Sequence, residues 1–125
     1  MRWNLGMATG ALSCCIAVSY GQVEGLANRS FEEGDKAPLG WTLAQGQGVW
    51  LKAGGVGESA CVRVDGSGED ANAWLSEPVP FLPGHAYRLS FYARSEGASG
   101  GTAVCGPAFA NVDIGVPGKA WLRYE

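Results

Sequence analysis

The chain has 125 residues, enough for one domain and too few for a large enzyme core with accessory parts. Its 20 glycines and 6 prolines are too many for a helical bundle, and 46% hydrophobic residues are too many for a disordered tail. Charged residues make up 17%, the net charge is −3 and no basic patch exists, which argues against a nucleic-acid partner and against attraction to anionic lipid.

Arg2 is the sole charge before Glu24, and residues 5–20 form an apolar run rich in small side chains. That run is shorter than the roughly 20 residues of a membrane-spanning helix, so no membrane insertion is expected. A basic start, a short apolar centre and small residues at Ser19 and Gly21 form the pattern of a secretory signal peptide cleaved after Gly21. Ala11-Leu12-Ser13 before Cys14 offers a second reading, a lipoprotein signal, with a shorter apolar run ahead of it. A buried N-terminal helix is weaker, because the run holds glycines and lacks a polar face. Residues 1–21 are therefore expected to be the signal peptide and 22–125 the domain, secreted to an extracellular or periplasmic space. Cleavage leaves 12 acidic against 8 basic side chains, since Arg2 departs. Cys61 and Cys105 remain, and in an exported protein two distant cysteines predict one disulfide. Spaced singly beside one histidine, they make no zinc site.

From Gly25 the sequence predicts a short strand running into the turn at Glu33-Gly34. Pro38-Leu39-Gly40 is a turn that sets Trp41 at the head of a strand over residues 41–43. A loop at 45–48 leads to a strand over 49–52, and a glycine-rich turn follows at 53–58. Residues 59–65 alternate, with Ala60, Val62 and Val64 on one face and Cys61, Arg63 and Asp65 on the other. A polar loop at 66–72 precedes an extended stretch over 73–81, where Pro78 and Pro80 suit an edge. After the Pro83-Gly84 turn comes the clearest alternation, residues 87–95. It sets Tyr87, Leu89, Phe91 and Ala93 against Arg88, Ser90, Tyr92 and Arg94. Further strands are predicted over 102–105, 109–114 and 120–124. No window keeps helical periodicity, so the fold class is all-β, an antiparallel sandwich of short strands.

The order of these pieces resembles the CenC-like carbohydrate-binding modules of families 4, 9 and 22, found attached to bacterial cellulases and xylanases. The matching stretches are Asn28-Arg29-Ser30-Phe31-Glu32, Pro38-Leu39-Gly40-Trp41, and Gly57-Glu58-Ser59-Ala60 leading into Val62 and Val64. They continue with Leu82-Pro83-Gly84, the run from Tyr87 to Arg94, and Trp121-Leu122-Arg123-Tyr124, and so cover essentially all of 22–125. The resemblance implies a galactose-binding-domain-like jelly-roll β-sandwich that binds a polysaccharide or oligosaccharide without catalysis. Such modules carry two or three strands beyond the Trp-x-x-Tyr strand. The resemblance therefore implies a module missing its C-terminal strands, with an open edge and exposed apolar surface. It also implies a structural calcium at the start of the first strand, for which Glu32 matches one ligand while the last-strand acidic partner is missing.

Sugars are held by aromatic faces against their C–H surfaces and by planar polar groups on their hydroxyls. Tyr92, Arg88 and Arg94 on one strand face, Arg63 on the equivalent face of another, and the non-framework rings Trp50 and Trp74 are the expected glycan-binding set. The competing reading makes the tryptophans core and the arginines surface ion pairs. The loop holding Asp65, Glu69, Asp70 and Asn72 lacks EF-hand spacing and reads as a solvated acidic loop. Gly66-Ser67-Gly68 mimics a dinucleotide fingerprint, but no helix follows it. His85, in a turn, has no nucleophile motif beside it, and adjacent Glu32 and Glu33 cannot form a glycosidase pair across a cleft. The expected function is thus sugar binding by an exported, non-enzymatic module. The alternative is an extracellular structural or adhesion domain that does not bind sugar.

Overall fold

A computed structural model describes residues 3–6, 11–16, 26–67, 69–97, 102–107 and 109–125, with backbone alone for 3–6 and 11–16. The protein is all-β. Among the described residues are ten strands: β1 (Trp3–Gly6), β2 (Ala11–Ile16), β3 (Trp41–Gln45), β4 (Gln47–Leu51), β5 (Cys61–Asp65), β6 (Ala73–Ser76), β7 (Phe91–Glu96), β8 (Ala103–Pro107), β9 (Val112–Gly115) and β10 (Leu122–Tyr124). One 3-10 turn, Val56–Glu58, is the only helical element among them. The strands form two antiparallel five-stranded sheets, ordered β3-β6-β1-β8-β9 and β10-β7-β2-β5-β4.

Both sheets contribute to one core. Trp41, Trp74, Ala103 and Cys105 come from the first, and Val62, Val64, Phe91 and Ala93 from the second, with Phe31 and Ala60 from loops. Strict alternation in β5 and β7 puts the small and branched side chains inward and the charged ones outward, as the pleat dictates. Three tryptophans donate from their indole N–H groups, two of them to loop carbonyls and one to β5 across the core. Trp41 donates to the Ala27 carbonyl (3.2 Å), Trp50 to Phe31 (2.9 Å) and Trp74 to Arg63 (3.0 Å). A buried ring thereby satisfies its one polar atom.

Several expectations change. No strand forms over residues 26–31; they turn, with Asn28 and Phe31 at positive φ (46° and 60°). The Asn28 amide holds that turn, donating to the Glu33 and Leu39 carbonyls while its Oδ1 accepts from the Glu33 N–H. The strand expected to begin at Tyr87 begins at Phe91, which pairs with Ile16 of β2 and with Tyr124 of β10. Instead the Tyr87 hydroxyl turns back and accepts from the Leu82 N–H at 2.7 Å. Asn72 is not solvated: it is buried, and its Oδ1 accepts from the Gln47 N–H at 2.6 Å.

The predicted disulfide is also corrected. Cys61 and Cys105 are both buried and are not bonded to each other. Cys105 lies in the shared core, whereas Cys61 alternates with core residues Ala60 and Val62 and so faces the other side of its sheet. A side chain on the outer face of one sheet cannot bond to one inside the other. Finally, two pieces of the expected signal region, β1 and β2, are the central strands of the two sheets.

Candidate functional site

The outer face of the second sheet gathers three of the six predicted sugar-contacting residues, Arg63, Tyr92 and Arg94. Arg63 and Asp65 leave β5 on that face, and Tyr92, Arg94 and Glu96 leave β7 on it, each alternating with buried neighbours. Strand register fixes their spacing. Ser13 of β2 lies opposite Arg63 on one side and Arg94 on the other, so the two arginines share one row across three strands. Neighbouring strands lie about 4.8 Å apart, which puts the backbones of Arg63 and Arg94 about 10 Å from each other. Tyr92 occupies the adjacent row, between Cys15 and Arg123. All of these lie on a sheet face that is half-buried, not closed over.

Each arginine is braced by a carboxylate two residues along its own strand. Arg63 Nε sits 3.0 Å from Asp65 and Arg94 Nη2 sits 3.0 Å from Glu96. A spacing of two returns a strand to the same face, so both pairs follow directly from the pleat. Arg94 is held twice more. Its Nη2 donates to the Gly54 carbonyl at 3.3 Å, and its guanidinium carbon lies 5.1 Å from the Trp121 ring centroid. Its Nε is buried and has no hydrogen-bond partner among the described residues. A rigid, stacked guanidinium suits a planar hydrogen-bonding ligand. Arg88 stands apart: it precedes β7, is largely exposed, and approaches Glu125 only to 3.9 Å.

The two tryptophans expected in the groove are elsewhere. Trp74 is 4% exposed and belongs to the core. Trp50 pairs with inward-facing Val62, and Lys52 Nζ rests 3.1 Å from its ring centroid. Both rings line a second cavity of about 580 Å³ together with Trp41, Asp35, Lys36 and Lys52. That cavity and the arginine row lie on opposite sides of the β4–β5 pair. Trp50, Trp74 and the arginine row therefore do not converge on one groove.

A third feature opens near the ends of the two sheets. Phe81, Tyr87, Phe91, Phe109, Ile114 and Tyr124 line an apolar cavity of about 730 Å³. Tyr124 stacks on Phe91 at 5.4 Å between centroids, and Phe81 meets Tyr87 edge-on at 4.5 Å. Phe109, Val112 and Leu122 are more than half exposed at this end.

Among the described residues, no three His, Cys, Asp or Glu side chains are placed to hold a metal ion. Glu32, the expected calcium ligand, accepts the Ala60 N–H on Oε1 at 2.7 Å. Two exposed carboxyls are held below their ordinary range. Asp70 is lowered by the Ser67 hydroxyl and amide, and Asp113 by the Thr102 hydroxyl and then the Gly115 N–H. Sequence reasoning missed Trp121, Gly54 and Glu96 as supports of Arg94. Only Glu96 was legible, through its i, i+2 spacing. Among the described residues, no helix is long and apolar enough to cross a membrane. Compared with known proteins, the chain matches no family model, no curated protein and no solved structure.

Proposed function

We propose that this protein is an exported, non-catalytic carbohydrate-binding module with a galactose-binding-domain-like jelly roll of the CenC-like kind. It receives its sugar on the outer face of the second sheet. The observation that carries this reading is the pair of guanidinium groups, Arg63 on β5 and Arg94 beside Tyr92 on β7, each on the outer face and each fixed by a carboxylate of its own strand. Planar donors held rigid around one aromatic ring match the alternating hydroxyl and C–H surfaces of a pyranose. Asp65 and Glu96 supply acceptors for hydroxyl donors on the same face. In this reading the leader directs export and is cleaved after Gly21.

The reading is tested by affinity electrophoresis of the chain through gels containing plant and microbial polysaccharides. Tyr92→Ala is expected to weaken retention several-fold, since one stacked ring contributes about 0.5 to 1.5 kcal/mol. Arg63→Ala is expected to weaken it further. Unchanged retention in both variants refutes this face as the site. For export, the mass of the secreted protein should place its N-terminus at Gln22.

The alternative is an extracellular structural or adhesion domain. It is favoured by one observation, the apolar cavity lined by Phe109 and Val112, both more than half exposed. Exposed apolar surface of this kind is used for protein contacts. Failure to bind any glycan, together with self-association that Phe109→Ser abolishes, selects this reading.

A further inference from the structure

We infer that the leader is also a strand donor: residues 3–16 complete the centre of both sheets, so the uncleaved chain is the closed form and cleavage after Gly21 opens two strand-acceptor slots. The opening step rests on the cleavage reading above. Strand donation rests on the ladder registers alone.

The first slot lies between β6 and β8. Strand β1 fills it antiparallel to both, with Leu5 opposite Trp74 on one side and Cys105 on the other. The second lies between β5 and β7. Strand β2 fills it likewise, with Ser13 opposite Arg63 and Arg94. Residues 7–10 join the two strands, so one short segment serves both sheets.

Removing the segment would break each sheet at its middle. The first would fall into the pairs β3-β6 and β8-β9, the second into β10-β7 and β5-β4. Two-stranded ribbons are marginal alone, and four new edges would carry unpaired N–H and C=O groups. The flanking strands hold core residues Val62, Val64, Phe91, Ala93, Trp74 and Cys105, so the ladder breaks lie directly over the core. The second slot also crosses the proposed sugar face. With β2 gone, nothing in the described ladder holds Arg63 and Arg94 in one row.

The test uses the full chain, produced without export, with a site-specific protease sequence inserted between Tyr20 and Gln22. After cutting, residues 1–20 are expected to co-elute with the remainder on size exclusion and to separate only in denaturant. In the uncut chain, hydrogen exchange at 11–16 should be at least about tenfold slower than in a free peptide of that sequence. Ser13→Pro removes a ladder donor from a central strand and should abolish both results, while Ser13→Thr should preserve them. Exchange at 11–16 at the free-peptide rate overturns the inference. So does departure of the cut segment while the remainder keeps its melting transition. Neither readout depends on sugar. Loss of polysaccharide retention with co-elution intact fails the sugar-binding reading alone, and an exported protein beginning at Met1 overturns the opening step alone.

Discussion

Gly48→Ala tests the packing between the sheets. Gly48 lies in β4 opposite Val64. A Cβ added there would stand 2.6 Å from the Arg63 carbonyl oxygen, 2.8 Å from Trp74 Nε1 and 2.9 Å from Leu43 Cδ1. The first two atoms are the acceptor and donor of the bond that satisfies the buried Trp74 indole at 3.0 Å. The methyl therefore overpacks the core and wedges into a buried hydrogen bond at once. Overpacking costs about 1 to 3 kcal/mol, and a buried donor left unpaired costs about as much again. We expect a loss of about 3 kcal/mol, which with a urea slope near 2 kcal/mol/M moves the midpoint down by about 1.5 M. Gly118→Ala is the control. A Cβ at Gly118 meets nothing within 4 Å and its φ is not positive, so it should stay within about 0.5 kcal/mol of the parent. Equal midpoints for the two variants would refute the inward placement of Trp74 and the β4–β5 register with it.

Peptide mapping without reductant should find no Cys61–Cys105 linkage, and both thiols should react with a thiol reagent only after unfolding. A linked peptide would overturn the placement of the two cysteines on opposite sides of a sheet. The Asp113 carboxyl should titrate below its ordinary value of 3.8 because Thr102 and Gly115 donate to its charged form. A lowered folded-state pKa adds stability above the unfolded value that is lost as pH falls through the folded one, so the contribution fades below about pH 4. Thr102→Ala should return the NMR titration midpoint of Asp113 toward 3.8, and an unchanged midpoint would remove the Thr102 hydroxyl as the cause. Trp74→Ala should cost about 3 to 5 kcal/mol and so cannot serve as a clean probe of sugar binding.

The sequence alone determined the all-β class and the two faces of β5 and β7. Alternation is a property of one strand: successive side chains point to opposite sides whatever pairs with them. Arg63 with Asp65, and Tyr92 with Arg94, could therefore be assigned to the outer face before any partner was known. The fates of Trp50 and Trp74 could not. Their direction depends on the registers Trp50–Val62 and Trp74–Leu43, which join strands distant in sequence or separated by a turn. Alternation likewise continued through Tyr87 and Leu89, but a strand exists only where a neighbour completes its ladder, and the ladder with β10 reaches only to Phe91. The cysteines show the same limit, since even their number left open that one thiol faces the core and the other faces away from it. The apolar run over residues 5–20 fits a leader by composition and a pair of strands by pairing. Composition is local and was readable. The ladders that place β1 and β2 between β6 and β8 and between β5 and β7 are long-range, and only the tertiary structure decided them.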